Sequence, residues 1–210
     1  MPAKEFSMEN VKQTPEKGKV NVYTIVGLGL LTAIVVVLQL LASNIRLGPF
    51  SITLCLAPIA VGAALYGWKA GLWLGFAFSL VVMFTDTAFF FAISPVGTIV
   101  TVMLKGMLAG LAAGLIYKPL AAKKGDTFAT IVCGIVVPIV NKLVFIAGCA
   151  VFFFDTVAAM GADKGFTNTA VFLFFGWSGL NFPVEFAVNL ILGAAIVRVV
   201  QVGRKKLVKA

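Results

Sequence analysis

The sequence predicts an all-α polytopic membrane protein: a six-transmembrane-helix bundle with both termini cytoplasmic. Hydrophobic residues make up 60% of the 210-residue chain and charged residues only 12%, whereas roughly a quarter of a soluble domain is charged. The apolar residues gather into six long stretches, and most basic residues lie in the tails and in alternate connections. Hydrocarbon offers no partner to an open backbone amide, so such stretches must span as helices.

A helix needs about 20 apolar residues to cross the ~30 Å hydrocarbon core. Spans are expected near Asn21 to Ala42, Ser51 to Tyr66, Ala70 to Phe91, Val96 to Tyr117, Thr127 to Phe154 and Thr169 to Val200. The second is short and contains Pro58, which predicts a kink or tilt, and the last two are long enough to tilt or project beyond the bilayer. Residues 1–20 mix Lys4, Glu5, Glu9, Lys12, Glu16, Lys17 and Lys19 with little apolar content. They read as a disordered cytoplasmic tail rather than a secretory signal. The membrane domain then covers 21–203, and 204–210 form a basic cytoplasmic tail.

Orientation follows from the lysines. With both ends on one side, that side receives Lys4, Lys12, Lys17, Lys19, Lys69, Lys118, Lys123, Lys124, Arg204, Lys205, Lys206 and Lys209, with Arg198 at the last helix end. The opposite loops receive only Arg46 and Lys164. Positive charge concentrates on the cytoplasmic side, so both termini are expected there. Gly48-Pro49 and Ser94-Pro95-Val96-Gly97 mark turns on the outer side. The third outer segment, Asp155 to Asn168, reads either as a lid or as an ordinary connector.

Several chemistries are disfavoured. The charge of +9 does not line one soluble face, so nucleic acid is not an expected partner. Histidine is absent, which removes the commonest metal ligand and general base. Cys55, Cys133 and Cys149 lie in apolar segments without CxxC spacing, and read as buried packing residues. No metal or other cofactor is expected. No GxxxxGK[ST] phosphate loop occurs, so an ATP-driven cycle would need its motor on another chain. Ser178 has no histidine to complete a Ser-His pair, and there is no HExxH motif; an intramembrane enzyme is the poorest reading.

Small residues recur every four positions. LKGMLAGLAAGLIYK places Gly106, Gly110 and Gly114 in one row, Gly67, Gly71 and Gly75 form a second, and Gly29 with Ala33 a third. Rows of this kind let helices approach closely. They serve either packing within the bundle or docking of a partner, and three rows point to more surfaces than a minimal bundle uses.

Polar groups inside the spans are the candidate site. Asn181, Glu185 and Asn189 recur at i, i+4 and i+8, which gathers two amides and a carboxylate into one stripe. Asn141-Lys142 and Lys105 lie in neighbouring spans. One reading is a structural ion pair between Glu185 and either lysine. The other is a polar ligand pocket, since an intramembrane charge marks a functional site by default. Asp86, nearer the outer end, reads as solvated at the rim. Tyr66, Trp68 and Trp73 read as interfacial anchors. Phe89–Phe91, Phe152–Phe154 and Trp177 either wall a planar ligand or face lipid.

The stretches SITLCLAPIAVGAALYGWKAGLWLGF, SPVGTIVTVMLKGMLAGLAAGLIYK and NFPVEFAVNLILGAAIV resemble the substrate-binding S component of energy-coupling factor (ECF) vitamin transporters, over roughly Tyr23 to Val200. The resemblance implies six helices, cytoplasmic termini, and an outward-facing vitamin site built from the first loop and the later helices. It also implies a transmembrane coupling protein and two ATPase subunits as partners. The AxxxA coupling motif of that family is approximated here by Gly29 and Ala33, with Val37 four residues on. Within the riboflavin, folate and pantothenate group, Asn141 and Asn189 lie where riboflavin-type members place polar contacts. Glu185 stands where those members carry a basic residue, which favours a ligand with a cationic or hydrogen-donating group. A stand-alone proton- or sodium-coupled transporter using Glu185 is the alternative, disfavoured by the lack of an inverted repeat.

Overall fold

The computed structural model describes residues 22–44, 53–176, 183 and 187–189. Among them every regular element is helical, and four helices are long and apolar enough to cross a membrane. The first, α1 (Val22–Ala42), ends at Ser43 and Asn44, whose side chains both donate to the Leu40 carbonyl. A shorter helix follows, α2 (Leu56–Tyr66). Gly67, at φ +90°, then reverses the chain directly into α3 (Trp68–Thr85). A side chain at that φ would be strained, so glycine is what permits a one-residue corner.

The expected third span, Ala70 to Phe91, is two helices. It breaks after α3 at Asp86 and Thr87, and a separate short α4 (Ala88–Ile93) follows. The Thr87 hydroxyl turns back to the Met83 carbonyl, and Thr85 and Asp86 bond locally. Such residues satisfy the backbone outside the helix, which is why they end it. Ser94 then caps α5 (Pro95–Lys124), accepting from the Gly97 amide at 3.2 Å, with Pro95 at the first helical position where its missing N–H is harmless.

α5 continues past Tyr117, its expected end, through Pro119 to Lys124. Gly125, at φ +87°, turns the chain into α6 (Asp126–Phe152). The expected fifth span, through Phe154, is interrupted at Phe153, and much of the expected connector is helical, as α7 (Phe154–Asp163). Asn168 caps α8 (Thr169–Val171), accepting from Ala170 and Val171; the helix widens into a π turn over Phe172–Gly176. The second helix begins at Leu56, five residues later than expected. Both tails and most of the expected sixth span lie outside the described residues, as do Ser51 and Ile52.

α5 is the central strut, packed along α3 on one side and α6 on the other. A Cβ on Gly71 would collide with the Gly110 carbonyl, one on Gly75 with the Gly106 carbonyl, and one on Gly114 with the backbone of Trp68. The two glycine rows therefore face each other across an antiparallel helix pair, with the Ser79 hydroxyl donating to the Val102 carbonyl at 2.7 Å. Dispersion contact and a few interhelical hydrogen bonds hold such pairs together where lipid removes the hydrophobic drive. The row on α1 is different: Gly29 has nothing within 4 Å of its would-be Cβ, and Ala33 is exposed.

Two ends of the bundle are distinct. Lys69, Lys118, Lys123 and Lys124 are exposed at one end, with Lys69 lying 5.6 Å from the Trp68 ring centroid. At that end the Tyr117 hydroxyl donates to Asp126 at 3.0 Å, tying α5 to α6. Trp73 donates to Thr32 on α1. The opposite end carries the helix breaks at Asp86 and Phe153.

Candidate functional site

The sequence-derived candidates fall on α5, α6 and the last segment. Asn141 lies in α6 and is 8% exposed; no hydrogen bond reaches its Oδ1 among the described residues. A buried amide left this way is costly unless something occupies the site, because its desolvation goes uncompensated. Phe145 is one turn further along the same face, and above its ring, 5.2 Å from the centroid, sits the Lys105 ammonium of α5, also 5.9 Å from the Phe78 ring. Two aromatic faces thus hold a half-buried cation within the membrane domain.

Lys142 is half-buried. It is rotated by about 100° from Asn141 on the helix and lies one turn from Ile146, which packs in a cluster with Phe172 and Leu173. Lys142 and Asn141 therefore address different neighbours. Asn189 is buried and donates through Nδ2 to the Thr53 carbonyl at 3.3 Å. It also borders a small, apolar-walled crevice with Leu56 and Ala57 of α2 and Gly134, Val137 and Pro138 of α6. Asn141 follows Val137 and Pro138 by one turn, so one stripe of α6 runs from this crevice to the ring beneath Lys105. Asn181 and Glu185 lie outside the described residues.

Two residues, Gln39 and Thr101, escaped the sequence reading. Gln39 is 1% exposed and donates to Asp86 at 3.3 Å, while the Cys55 thiol donates to the Val35 carbonyl at 3.2 Å and lies 3.5 Å from Gln39 Oε1. Asp86, half-buried at the end of α3, does more than meet solvent at the rim: it fastens α3 to α1. A lone uncharged amide within an apolar run was the available signal. Thr101 is also buried, with no hydrogen bond to its Oγ1 among the described residues, and it packs against Gly148 of α6.

The phenylalanine runs divide. Phe90 and Phe153 are buried and meet edge to face at 4.9 Å between centroids, whereas Phe89, Phe91, Phe152 and Phe154 are exposed. The central ring of each run packs the bundle, and its neighbours point outward. Cys55, Cys133 and Cys149 are all buried, as packing residues should be.

The family model described as ECF transporter, substrate-specific component, matches residues 23–200. No curated protein and no solved structure matches the chain.

Proposed function

Since the chain belongs to the substrate-specific component family of ECF transporters, we propose that this multi-pass membrane subunit captures a vitamin or related micronutrient for ATP-driven uptake. The observation that carries the reading, beside the family, is Asn141: a buried amide whose carbonyl has no hydrogen-bond partner among the described residues. A ligand pocket presents such groups, and each one in a native structure calls for an explanation. In this reading six helices span the bacterial plasma membrane with both termini cytoplasmic. Ligand enters from the end opposite the exposed lysines, and Lys105, Asn141, Lys142, Asn181, Glu185 and Asn189 supply its polar contacts.

A substrate-specific component holds its ligand and performs no chemistry on it. Release inside is assigned to an ECF transmembrane coupling protein and two ATPase subunits. Gly29 and Ala33 of α1 are the proposed docking row, supported by the open face they occupy.

The test is direct. Protein purified in detergent should retain a small molecule detectable by native mass spectrometry, or bind one of riboflavin, folate and pantothenate. Glu185→Gln and Lys142→Met should each weaken that binding by roughly ten- to a hundredfold, the worth of a charge-assisted contact of about 1.5–3 kcal/mol, while leaving folding yield largely intact. A folded protein that binds nothing defeats the reading. Uptake by this chain alone in liposomes, collapsing with the proton gradient, would replace it with a secondary transporter.

A further inference from the structure

Charged residues are sorted between the two ends of the bundle. Lys69, Lys118, Lys123 and Lys124 lie at one end with a single described carboxylate, Asp126, which accepts from Tyr117. The opposite end has Asp86, Asp155 and Asp163, with only Lys164 to balance them among the described residues. Two of the four lysines stand at the corner where α2 turns into α3. The Lys118 ammonium of α5 overlies that corner, 3.6 Å from where a Cβ of Gly67 would be, and Lys69 is in the first turn of α3 with its ammonium 5.6 Å from the Trp68 ring centroid. Both are exposed, and neither has an ion-pair partner among the described residues.

Depth separates these two from the other pair. Trp73 follows Lys69 by four residues, so it lies on the same face of α3 one turn, or about 6 Å, nearer the middle of the bundle. Its ring is exposed and is held in place by its N–H, which donates to Thr32 of α1 at 3.2 Å. Trp68 is also exposed, while its backbone is seated against Gly114 of α5. Leu115, exposed on α5, lies one turn below Lys118. Tryptophan rings settle at the level of lipid headgroups, and lysine stems run over apolar surface to carry the ammonium into the polar layer. Lys69 and Lys118 therefore stand at phosphate depth. Lys123 and Lys124 come after Lys118 on α5, about 8 to 9 Å further along the helix and away from the hydrocarbon.

We propose that this corner is an interfacial seat for acidic phospholipid, with Lys69 and Lys118 at the headgroup and Trp68 and Trp73 beside the glycerol and the upper acyl chain. Exposed rings directly beneath the cations fit an amphiphile; a soluble acidic segment would match the charge and leave the rings unused. A zwitterionic lipid brings the same phosphate with a cation of its own attached, so a headgroup of net negative charge gains most from the two lysines. The carboxylates of the opposite end repel that headgroup, which confines the preference to one end of the bundle. The inference is independent of the ligand site and of the transport partners.

Quenching of tryptophan by brominated lipid tests the seat. Full-length protein carrying Trp177→Phe, which leaves Trp68 and Trp73 as the reporters, is reconstituted in phosphatidylcholine bilayers containing brominated phosphatidylglycerol or, at equal mole fraction, brominated phosphatidylcholine. The quenching should give phosphatidylglycerol a relative affinity about fivefold higher, the effect of one lysine at an acidic membrane surface, and the preference should shrink at high salt. Native mass spectrometry of unsubstituted protein released from mixed bilayers gives a second reading of the same ratio. Lys69→Gln combined with Lys118→Gln should abolish the preference without moving the unfolding midpoint in neutral detergent. Lys123→Gln combined with Lys124→Gln should leave most of it, and Lys164→Gln all of it. No preference before the lysines are changed, a preference that survives Lys69→Gln with Lys118→Gln, or an equal loss from Lys123→Gln with Lys124→Gln overturns the seat. Loss of co-purification with the coupling protein in the Lys69→Gln, Lys118→Gln protein, at unchanged lipid preference, would assign the corner to a protein partner instead.

Discussion

The small-residue rows of α3 and α5 and the row of α1 share a four-residue spacing, yet the fold uses them in opposite ways. Gly71 and Gly75 meet Gly110 and Gly106 so closely that a methyl group on any of them would strike backbone, whereas Gly29 meets nothing and Ala33 is exposed. Spacing alone says that a helix is able to accept a close neighbour. Whether the neighbour is part of the same chain depends on which helix stands opposite, and that is a tertiary fact.

The largest effect should come from filling the internal seam. Gly106→Leu places a branched side chain where Ser79, the Gly75 carbonyl and Phe78 already stand. Overpacking typically costs about 1–3 kcal/mol when side chains can yield; here backbone must move, so the expected loss is at the top of that range or beyond. Thermal unfolding in detergent should show a sharply lowered midpoint, and the yield of folded protein should collapse. A stable Gly106→Leu protein would mean that α3 and α5 are not so closely apposed.

A smaller effect should follow where α1 is fastened on its inner side. Gln39→Leu removes the donor to Asp86 and the acceptor near Cys55, leaving a half-buried carboxylate with less support. A loss of about 1–3 kcal/mol is expected from stranding such a group. Thermal unfolding measures it, and the double substitution with Asp86→Asn should lose less than the two single losses added together. Simple additivity would show that the contact is not coupled.

Ser79→Ala tests the polar stitch in the glycine seam. The Ser79 bond to the Val102 carbonyl is lost, and that carbonyl keeps its helical partner, so roughly 0.6 kcal/mol is expected, the average for side-chain hydrogen bonds between membrane helices. The effect should be visible as a small shift of the unfolding midpoint with ligand binding unchanged.

How much of this was legible in the sequence varies by feature. Long apolar helices, buried cysteines and the turn at Ser94-Pro95 follow from local chemistry, and all three are present. The breaks at Asp86 and Phe153 were missed because hydropathy runs on through both: Phe89–Phe91 and Phe154 are as apolar as a span, and only hydrogen bonding at Thr85–Thr87 and ring packing at Phe153 decide where the helix ends. Asn141 and Lys105 stood out as polar groups in apolar runs. Gln39 carries no charge, so its partner Asp86 emerges only when the helices are packed.

The smallest effect on the fold should come from filling the open row. Gly29→Leu or Ala33→Leu on α1 adds a side chain where the structure has room, and surface changes of this kind usually stay within about 0.5 kcal/mol. Folding yield, unfolding midpoint and vitamin binding should therefore match wild type. If α1 is the docking face, co-purification with the coupling protein and its ATPases should fall at least tenfold for either substitution, and Gly29→Ala, which keeps the row small, should retain it. Retained co-purification with Gly29→Leu would leave α1 facing lipid and move the docking surface to another helix, while the closed row between α3 and α5 would keep its role unchanged.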